Sequence, residues 1–121
     1  MEQYSFEKLL AYKNARKLVV CIYRLMSKFP QVEKYALCDQ LRRSIISVPS
    51  NIAEGSGRMS IKEKIHFLEI AYGSLMEAYC QLQISQDLGY LTEDDIQSVK
   101  DQFFDCSRLI SGLKKSFEAK L

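Results

Sequence analysis

Apolar residues recur along much of this chain at alternating steps of three and four. The clearest run is Ile96, Val99, Phe103, Cys106, Ile110, Leu113 and Phe117. A seven-residue repeat of this kind keeps one face of an α-helix turned to its neighbours, and it predicts left-handed supercoiled packing. Thr92 stands just before Glu93, Asp94 and Asp95. Its hydroxyl suits the first free amides of a helix, and the carboxylates suit the positive end of the helix dipole. An earlier run, Ile61, Ile65, Leu68, Tyr72, Leu75, Tyr79 and Leu82, repeats the pattern. Ser60 with Glu63 reads as an S-x-x-E capping box, and Gly89 as a C-terminal stop. Gly73 falls inside this helix, where glycine costs ~1 kcal/mol against alanine. With Ala71, Ser74 and Ala78 nearby, it predicts a close approach of another helix.

Two further helices precede these. Tyr12, Ala15, Val19, Ile22, Met26 and Phe29 form the first, which stops at Pro30 because a residue before proline disfavours helical geometry. Leu37, Leu41, Ile45, Val48 and Ile52 form the second, with Pro49 inside it removing one backbone hydrogen bond. Ser47 and Ser50 are placed to satisfy the freed groups. This predicts one helix, kinked at Pro49, from about Val32 to about Glu54, ended by Gly55-Ser56-Gly57. Helices of roughly 23 to 30 residues, about 35 to 45 Å at 1.5 Å per residue, are then joined by short connections. Short connections make neighbours antiparallel. The expected fold is all-α: a single domain over residues 1–121, an up-down-up-down antiparallel four-helix bundle of left-handed packing. Five glycines and two prolines in 121 residues are too few for a loop-rich β protein.

Charge enters as a local feature. Seventeen basic and 15 acidic residues leave a net charge of only +2, so no global electrostatic case for nucleic-acid binding exists. On helix 1, however, Lys13, Lys17, Arg24 and Lys28 share one narrow arc opposite the seam, with Arg16 at its border, and no acidic residue lies between Lys8 and Lys28. Such a stripe is a candidate for tracking a phosphate backbone. A solvated, lysine-rich face is the bland alternative.

Helix 2 carries the unusual face. Ile46 and Ala53, with Pro49 between them and Arg42 beside them, lie to one side of the core line. They widen the apolar arc to about 160°, against the ~100° that a surface helix needs. The excess predicts self-association through Arg42, Ile46, Pro49 and Ala53. The alternative is that the kink turns this side inward. Arg43 and Glu54, on the far side of helix 2, are too distant along it to pair with each other and are open to other helices or subunits.

Chemistry for an enzyme is missing. His66 is the single histidine, and a lone helical histidine reads as a surface or boundary residue. No phosphate-loop, zinc-protease or nucleophile-elbow motif occurs. A carboxylate-bridged di-metal bundle needs two E-x-x-H pairs, and Glu63 with His66 supplies one. Gly55-Ser56-Gly57-Arg58 looks like a phosphate cradle only superficially; a helix-ending loop accounts for it better. Cys21, Cys38, Cys80 and Cys106 form no C-x-x-C pair. They read as small reduced residues at core or boundary positions, with a disulfide framework or metal site as alternatives. The expectation is no enzyme, no cofactor and no metal. The longest apolar run, Leu18 to Tyr23, falls far short of the roughly 20 residues that span a bilayer. The start, Met1-Glu2-Gln3-Tyr4, lacks the plan of a signal peptide. A cytoplasmic protein with no membrane partner is expected.

Gln40-Leu41-Arg42-Arg43-Ser44 followed by Ser47-Val48-Pro49-Ser50-Asn51-Ile52-Ala53-Glu54-Gly55 closely resembles the signature of the four-helix-bundle proteins encoded in intervening sequences of bacterial 23S rRNA genes. Phe67-Leu68-Glu69-Ile70-Ala71 with Gly73-Ser74 and Glu77, and Leu88-Gly89-Tyr90-Leu91, look like its later motifs. The resemblance covers nearly the whole chain, and the helix 2 signature is its specific part. It implies an up-down bundle that assembles into a ring, typically a homopentamer, with no catalytic residue. The family is also similar to the accessory protein of diversity-generating retroelements, a basic pentameric barrel that binds nucleic acid and a reverse transcriptase. RNA or DNA, and by that similarity a reverse-transcriptase-like protein, are therefore expected as partners beside the chain itself. The leading expectation is a non-enzymatic homo-oligomeric scaffold with modest nucleic-acid affinity. A protein-interaction module without a nucleic-acid role is the alternative.

Overall fold

The computed structural model describes residues 2–121, so Met1 of the start read above lies outside them. Four helices, α1 (Leu10–Met26), α2 (Leu37–Ser56), α3 (Ile61–Asp87) and α4 (Glu93–Glu118), carry the fold. Short 3-10 turns at Ser5–Lys8 and Gln31–Glu33 precede α1 and α2, and no strand occurs among the described residues. α1 packs on α2, α2 on α3, α3 on α4 and α4 on α1, while neither diagonal pair approaches. One core fills the space between them, from Leu18 and Ile22 of α1 through Leu41, Ile45 and Ile52 to Leu75, Leu82 and Ile110.

α3 and α4 lie where their periodicity puts them. The Ser60 hydroxyl accepts from the Glu63 amide at 3.1 Å. Gly89, at φ 83°, ends α3 in the left-handed region, and the Tyr90 amide reaches back to the Ser85 carbonyl at 2.9 Å. At the start of α4 the Thr92 hydroxyl accepts from the Asp95 amide, while the Asp95 carboxylate accepts from the Thr92 amide at 2.9 Å. Both halves of a capping box therefore form.

α1 and α2 are shorter than their apolar patterns suggest. α1 has 17 residues and ends at Met26 instead of running to Pro30. Ser27, Lys28 and Phe29 tighten into bonds to Arg24, Leu25 and Met26, and the Ser27 hydroxyl also takes the Arg24 carbonyl at 2.7 Å. α2 begins at Leu37, not Val32. Pro30 opens a separate 3-10 turn, and the Glu33 carboxylate accepts from the Leu37 amide as α2 starts. The core face of α1 keeps Ala15, Ile22 and Met26 of the expected line and is wider than that line. Ala11, Ala15, Leu18, Ile22 and Leu25 are buried, with Tyr12 and Val19 packed at its edge. Both lines obey steps of three and four, so periodicity alone does not choose between them.

The tightest packing joins α2 to α3. Ser44 donates to Gln81 Oε1 at 2.7 Å within the core. The Ser47 and Ser74 hydroxyls meet at 2.9 Å, and Asn51 donates back to Ser47 at 2.8 Å. Below them Gly55 is buried inside α2, so it is not the helix stop expected for it. A Cβ on Gly55 would stand 2.8 Å from Phe67 Cβ and 3.4 Å from the Lys64 carbonyl. The partners of Ser44, Ser47 and Gly55 fall in descending order along α3, so the two helices run antiparallel. Tyr79 against Phe103 and Glu69 against Lys114 give α3 and α4 the same relation. α2 itself continues through a buried Pro49 to Ser56.

Gly73 does not serve a close approach. It is exposed, and a Cβ there would meet nothing within 4 Å. Ala71 and Ala78, both fully buried, fill that role instead. The two glycines should therefore answer alanine oppositely in urea unfolding. Gly73→Ala is expected to stabilise the chain by about 0.5–1 kcal/mol. Gly55→Ala is expected to destabilise it by about 1–3 kcal/mol, because Phe67 Cβ and the α3 backbone must shift. Equal effects at the two positions would contradict the close approach.

Candidate basic ridge and oligomer face

Helix α1 carries Lys13, Arg16, Lys17 and Arg24 exposed on its outer side. Among the described residues none of these four has a carboxylate within ion-pair distance. Lys13, Arg16 and Lys17 border a shallow groove with Val20. The Arg16 guanidinium lies over the Tyr12 ring at 5.7 Å, one turn back along α1. Lys28 differs from the other members of the stripe. It is bonded to Asp95 at the start of α4, which ties the end of α1 to the α4 cap. A cation spent on that pair is a poor phosphate ligand.

The flank of α2 is split in the same way. Ile46 is 41% exposed, Ala53 is half-buried and Arg42 is half-buried. Arg42 donates to the Lys34 carbonyl at 2.9 Å and lies 3.6 Å from Asp39. Pro49 is buried within the chain itself and is not on the exposed flank. Removing the amide from a helix interior is tolerated there because Pro49 fills core space. Arg43 pairs with Asp39 at 3.2 Å and Glu54 with Arg58 at 2.8 Å, so both charges find partners close by along the chain.

Two apolar surfaces escaped the seam pattern. Val20 and Tyr23 of α1, 49% and 41% exposed, form an open shelf with Val19, Arg24 and Ile46. On the other side of the bundle Tyr72, Met76 and Phe104 surround a shallow depression between α3 and α4. The signal for the first was the unbroken apolar run from Leu18 to Tyr23, longer than one helix face accounts for. For the second it was Met76 and Phe104, apolar residues lying off the α3 and α4 seams.

The remaining candidates carry no reactive constellation. His66 is exposed beside Phe67. Among the described residues no group of three or more histidine, cysteine or acidic side chains is placed to hold a metal. All four cysteines are free thiols, and burial pushes the Cys106 thiol up to about 12, far from a reactive thiolate. Gly55, one end of the superficial phosphate cradle, is closed off by Phe67, and the Lys64 ammonium takes the Ser56 carbonyl at 2.9 Å. Among the described residues no helix is long and apolar enough to cross a membrane.

The family described as 23S rRNA-intervening sequence protein matches residues 7–112. The chain belongs to that family. No curated protein matches it. Among solved structures it is similar to a protein of unknown function of the S23 ribosomal protein family from Bacteroides thetaiotaomicron. That likeness has a TM-score of 0.78 at 19% identity, over 88% of this chain and 96% of the other, and it concerns the fold. The α2 signature that marks this intervening-sequence protein is explained by packing. Ser44, Ser47, Asn51 and Gly55 are the α2 side of its contact with α3, and Leu41, Val48 and Ile52 are the core line.

The Lys28–Asp95 pair is open to direct measurement. The Asp95 carboxyl is held below the usual carboxylate range, first by the bond from Lys28 and then by the Thr92 amide. A depressed folded-state value stabilises the fold above the ordinary carboxylate range, and that contribution is lost as pH falls through the depressed value. In Lys28→Ala, the Asp95 titration followed by carboxyl NMR is expected to move up, remaining below the ordinary range because the Thr92 amide is still in place. An unmoved midpoint would return Lys28 to the free cations of the ridge.

Proposed function

We propose that this intervening-sequence protein is a non-enzymatic homo-oligomeric scaffold that binds RNA or DNA weakly per subunit and usefully as an assembly. The observation that carries the reading is the set of four uncompensated cations on α1: Lys13, Arg16, Lys17 and Arg24. Elsewhere the chain pairs its arginines with carboxylates: Arg42 and Arg43 with Asp39, Arg58 with Glu54 and Arg108 with Asp105. Among the described residues Arg16 and Arg24 are the arginines left without a carboxylate partner. Cations along a helix edge match the spaced charges of a phosphate backbone, and their binding releases counterions.

One such ridge is too small for high affinity. Repetition around a ring converts each further contact into an intramolecular one, which raises avidity without new chemistry. The assembly is taken as a pentamer, in keeping with the family resemblance. Serving as a scaffold needs no acid, base or metal.

Binding to a single-stranded or duplex oligonucleotide, followed by fluorescence anisotropy, is expected to weaken steeply between 50 and 200 mM salt, by roughly tenfold or more. The triple variant Lys13→Glu, Lys17→Glu, Arg24→Glu is expected to lose at least about tenfold in affinity and to flatten the salt slope. Its circular dichroism is expected to be unchanged. Salt-independent binding, or no binding at low salt, would sink the nucleic-acid reading.

A further inference from the structure

Gly73 is the residue of α3 that packing leaves unexplained. Glycine inside a helix is destabilising against alanine, and close approach of another backbone is the usual reason to keep it. No such approach exists here: Gly73 is exposed, and a Cβ on it would meet nothing within 4 Å. What Gly73 does border is a furrow of about 340 Å³ between α3 and α4. The space that a side chain would take is left to that furrow. Its volume lies at the lower end of the ~300–1,000 Å³ of small-molecule sites.

The furrow has an apolar base and two opposite charges. Leu68 and Ile110, both buried, form the base, and Tyr72 lines it as well. Glu69 of α3 and Lys114 of α4 border the same furrow and stand 3.8 Å apart. That separation is too long for a charge-assisted hydrogen bond, so each keeps bonding capacity for something else. Ser111 adds a hydroxyl. Ser98, Ser107 and Ser116 of the same helix each donate to a carbonyl one turn back, whereas among the described residues the Ser111 hydroxyl takes no bond within the chain.

We propose that this furrow binds a free α-amino acid with an apolar side chain. The ligand ammonium meets Glu69, its carboxylate meets Lys114 and Ser111, and its side chain lies on Leu68 and Ile110 beside Tyr72. Charge complementarity selects this class. A ligand carrying one charge strips a counterion from either Glu69 or Lys114 and gives none to the other. A zwitterion supplies both partners at once, and the long, half-exposed pair that it replaces is worth little. Gly73 then has a reason: it gives up helix stability to keep the furrow open, a trade found where function needs space. The furrow lies away from the basic ridge of α1, so failure of this proposal leaves the nucleic-acid reading standing.

The test is a methyl NMR titration of the full chain with leucine, which reads Leu68 and Ile110 directly. Saturable shifts centred on those two residues are expected, with a Kd on the order of 1 mM or tighter. N-acetyl-leucine lacks the ammonium. Leucinamide lacks the carboxylate and stands in for the first residue of a peptide. Each is expected to bind roughly tenfold more weakly, the loss of one charge-assisted bond. In Glu69→Gln the penalty for acetylation is expected to vanish while the penalty for amidation stays, and in Lys114→Gln the reverse. Gly73→Ala is expected to melt higher than the wild type and yet bind leucine about fivefold more weakly. Gly112→Ala is the control: Gly112 is also exposed with nothing near its Cβ, but it lies outside the furrow, so this variant is expected to melt higher and bind unchanged. No saturable shift at Leu68 or Ile110 up to about 10 mM leucine would overturn the site. So would a Gly73→Ala affinity equal to that of the wild type. Equal binding of leucine and its two capped forms would overturn the amino acid as its occupant.

Discussion

The close contact of α2 with α3 is the constraint on which the rest of this fold depends. Ser44, Ser47, Asn51 and Gly55 are small or short on one helix, and Ala71, Ser74 and Ala78 are small on the other. Small residues let two backbones approach until hydroxyls bond directly across the seam. The bond from Ser44 to Gln81 is buried, and the Ser85 hydroxyl takes the Gln81 carbonyl beside it. Buried polar groups of this kind are costly unless all are satisfied, and here they pair in one register only. Sliding α2 by a turn would break the hydroxyl pairs and drive Phe67 into a larger residue than Gly55. The seam thereby fixes which face of α2 looks inward and which flank is left outside.

The outer surfaces follow from that choice. With Ser44 and Ser47 turned to α3, the opposite flank of α2 looks toward α1. Pro49 is swallowed into the core, and Ile46 is left beside Val20 and Tyr23. α1 and α4 are tied at one end by Lys28 and Asp95, which removes Lys28 from the basic ridge and leaves Lys13, Arg16, Lys17 and Arg24 free. Structure and proposed function thus reside on different faces of the same helices. The family signature builds the interior, and residues outside it, on α1, carry the charge. This division explains why a family match over most of the chain leaves the partner undecided.

Much of the fold was legible in the sequence because α3 and α4 are long and strictly periodic. Their caps at Ser60 and Thr92 and the stop at Gly89 are local chemistry, read from neighbouring residues. α1 and α2 were harder. Two apolar lines that share Ala15 and Ile22 fit α1 equally, and only the neighbours decide that Leu18 is fully inside. The start of α2 was misplaced because the turn after Pro30 is polar and helix-like in composition. Gly55 and Gly73 exchanged roles for a related reason. Whether a glycine serves a close approach depends on what faces it across space, and periodicity along one helix does not contain that. The pairing of Lys28 with Asp95, distant in sequence, and the burial of Pro49 were not legible in the periodicity of single helices. Val20, Tyr23, Met76 and Phe104 were visible as apolar residues off a seam, yet their grouping into two opposed faces needed the three-dimensional arrangement.

Native-state hydrogen exchange tests the primacy of the α2–α3 seam most directly. Amides are protected to the extent that opening them breaks the most cooperative part of the structure. The account predicts that the slowest amides lie along Ser47 to Gly55 of α2 and Phe67 to Gln81 of α3, exchanging only with global unfolding. The amides of α1 should open at lower free energy, ahead of them. If the α1 amides proved the slowest, with α2 and α3 opening first, the seam would not be what holds the bundle together.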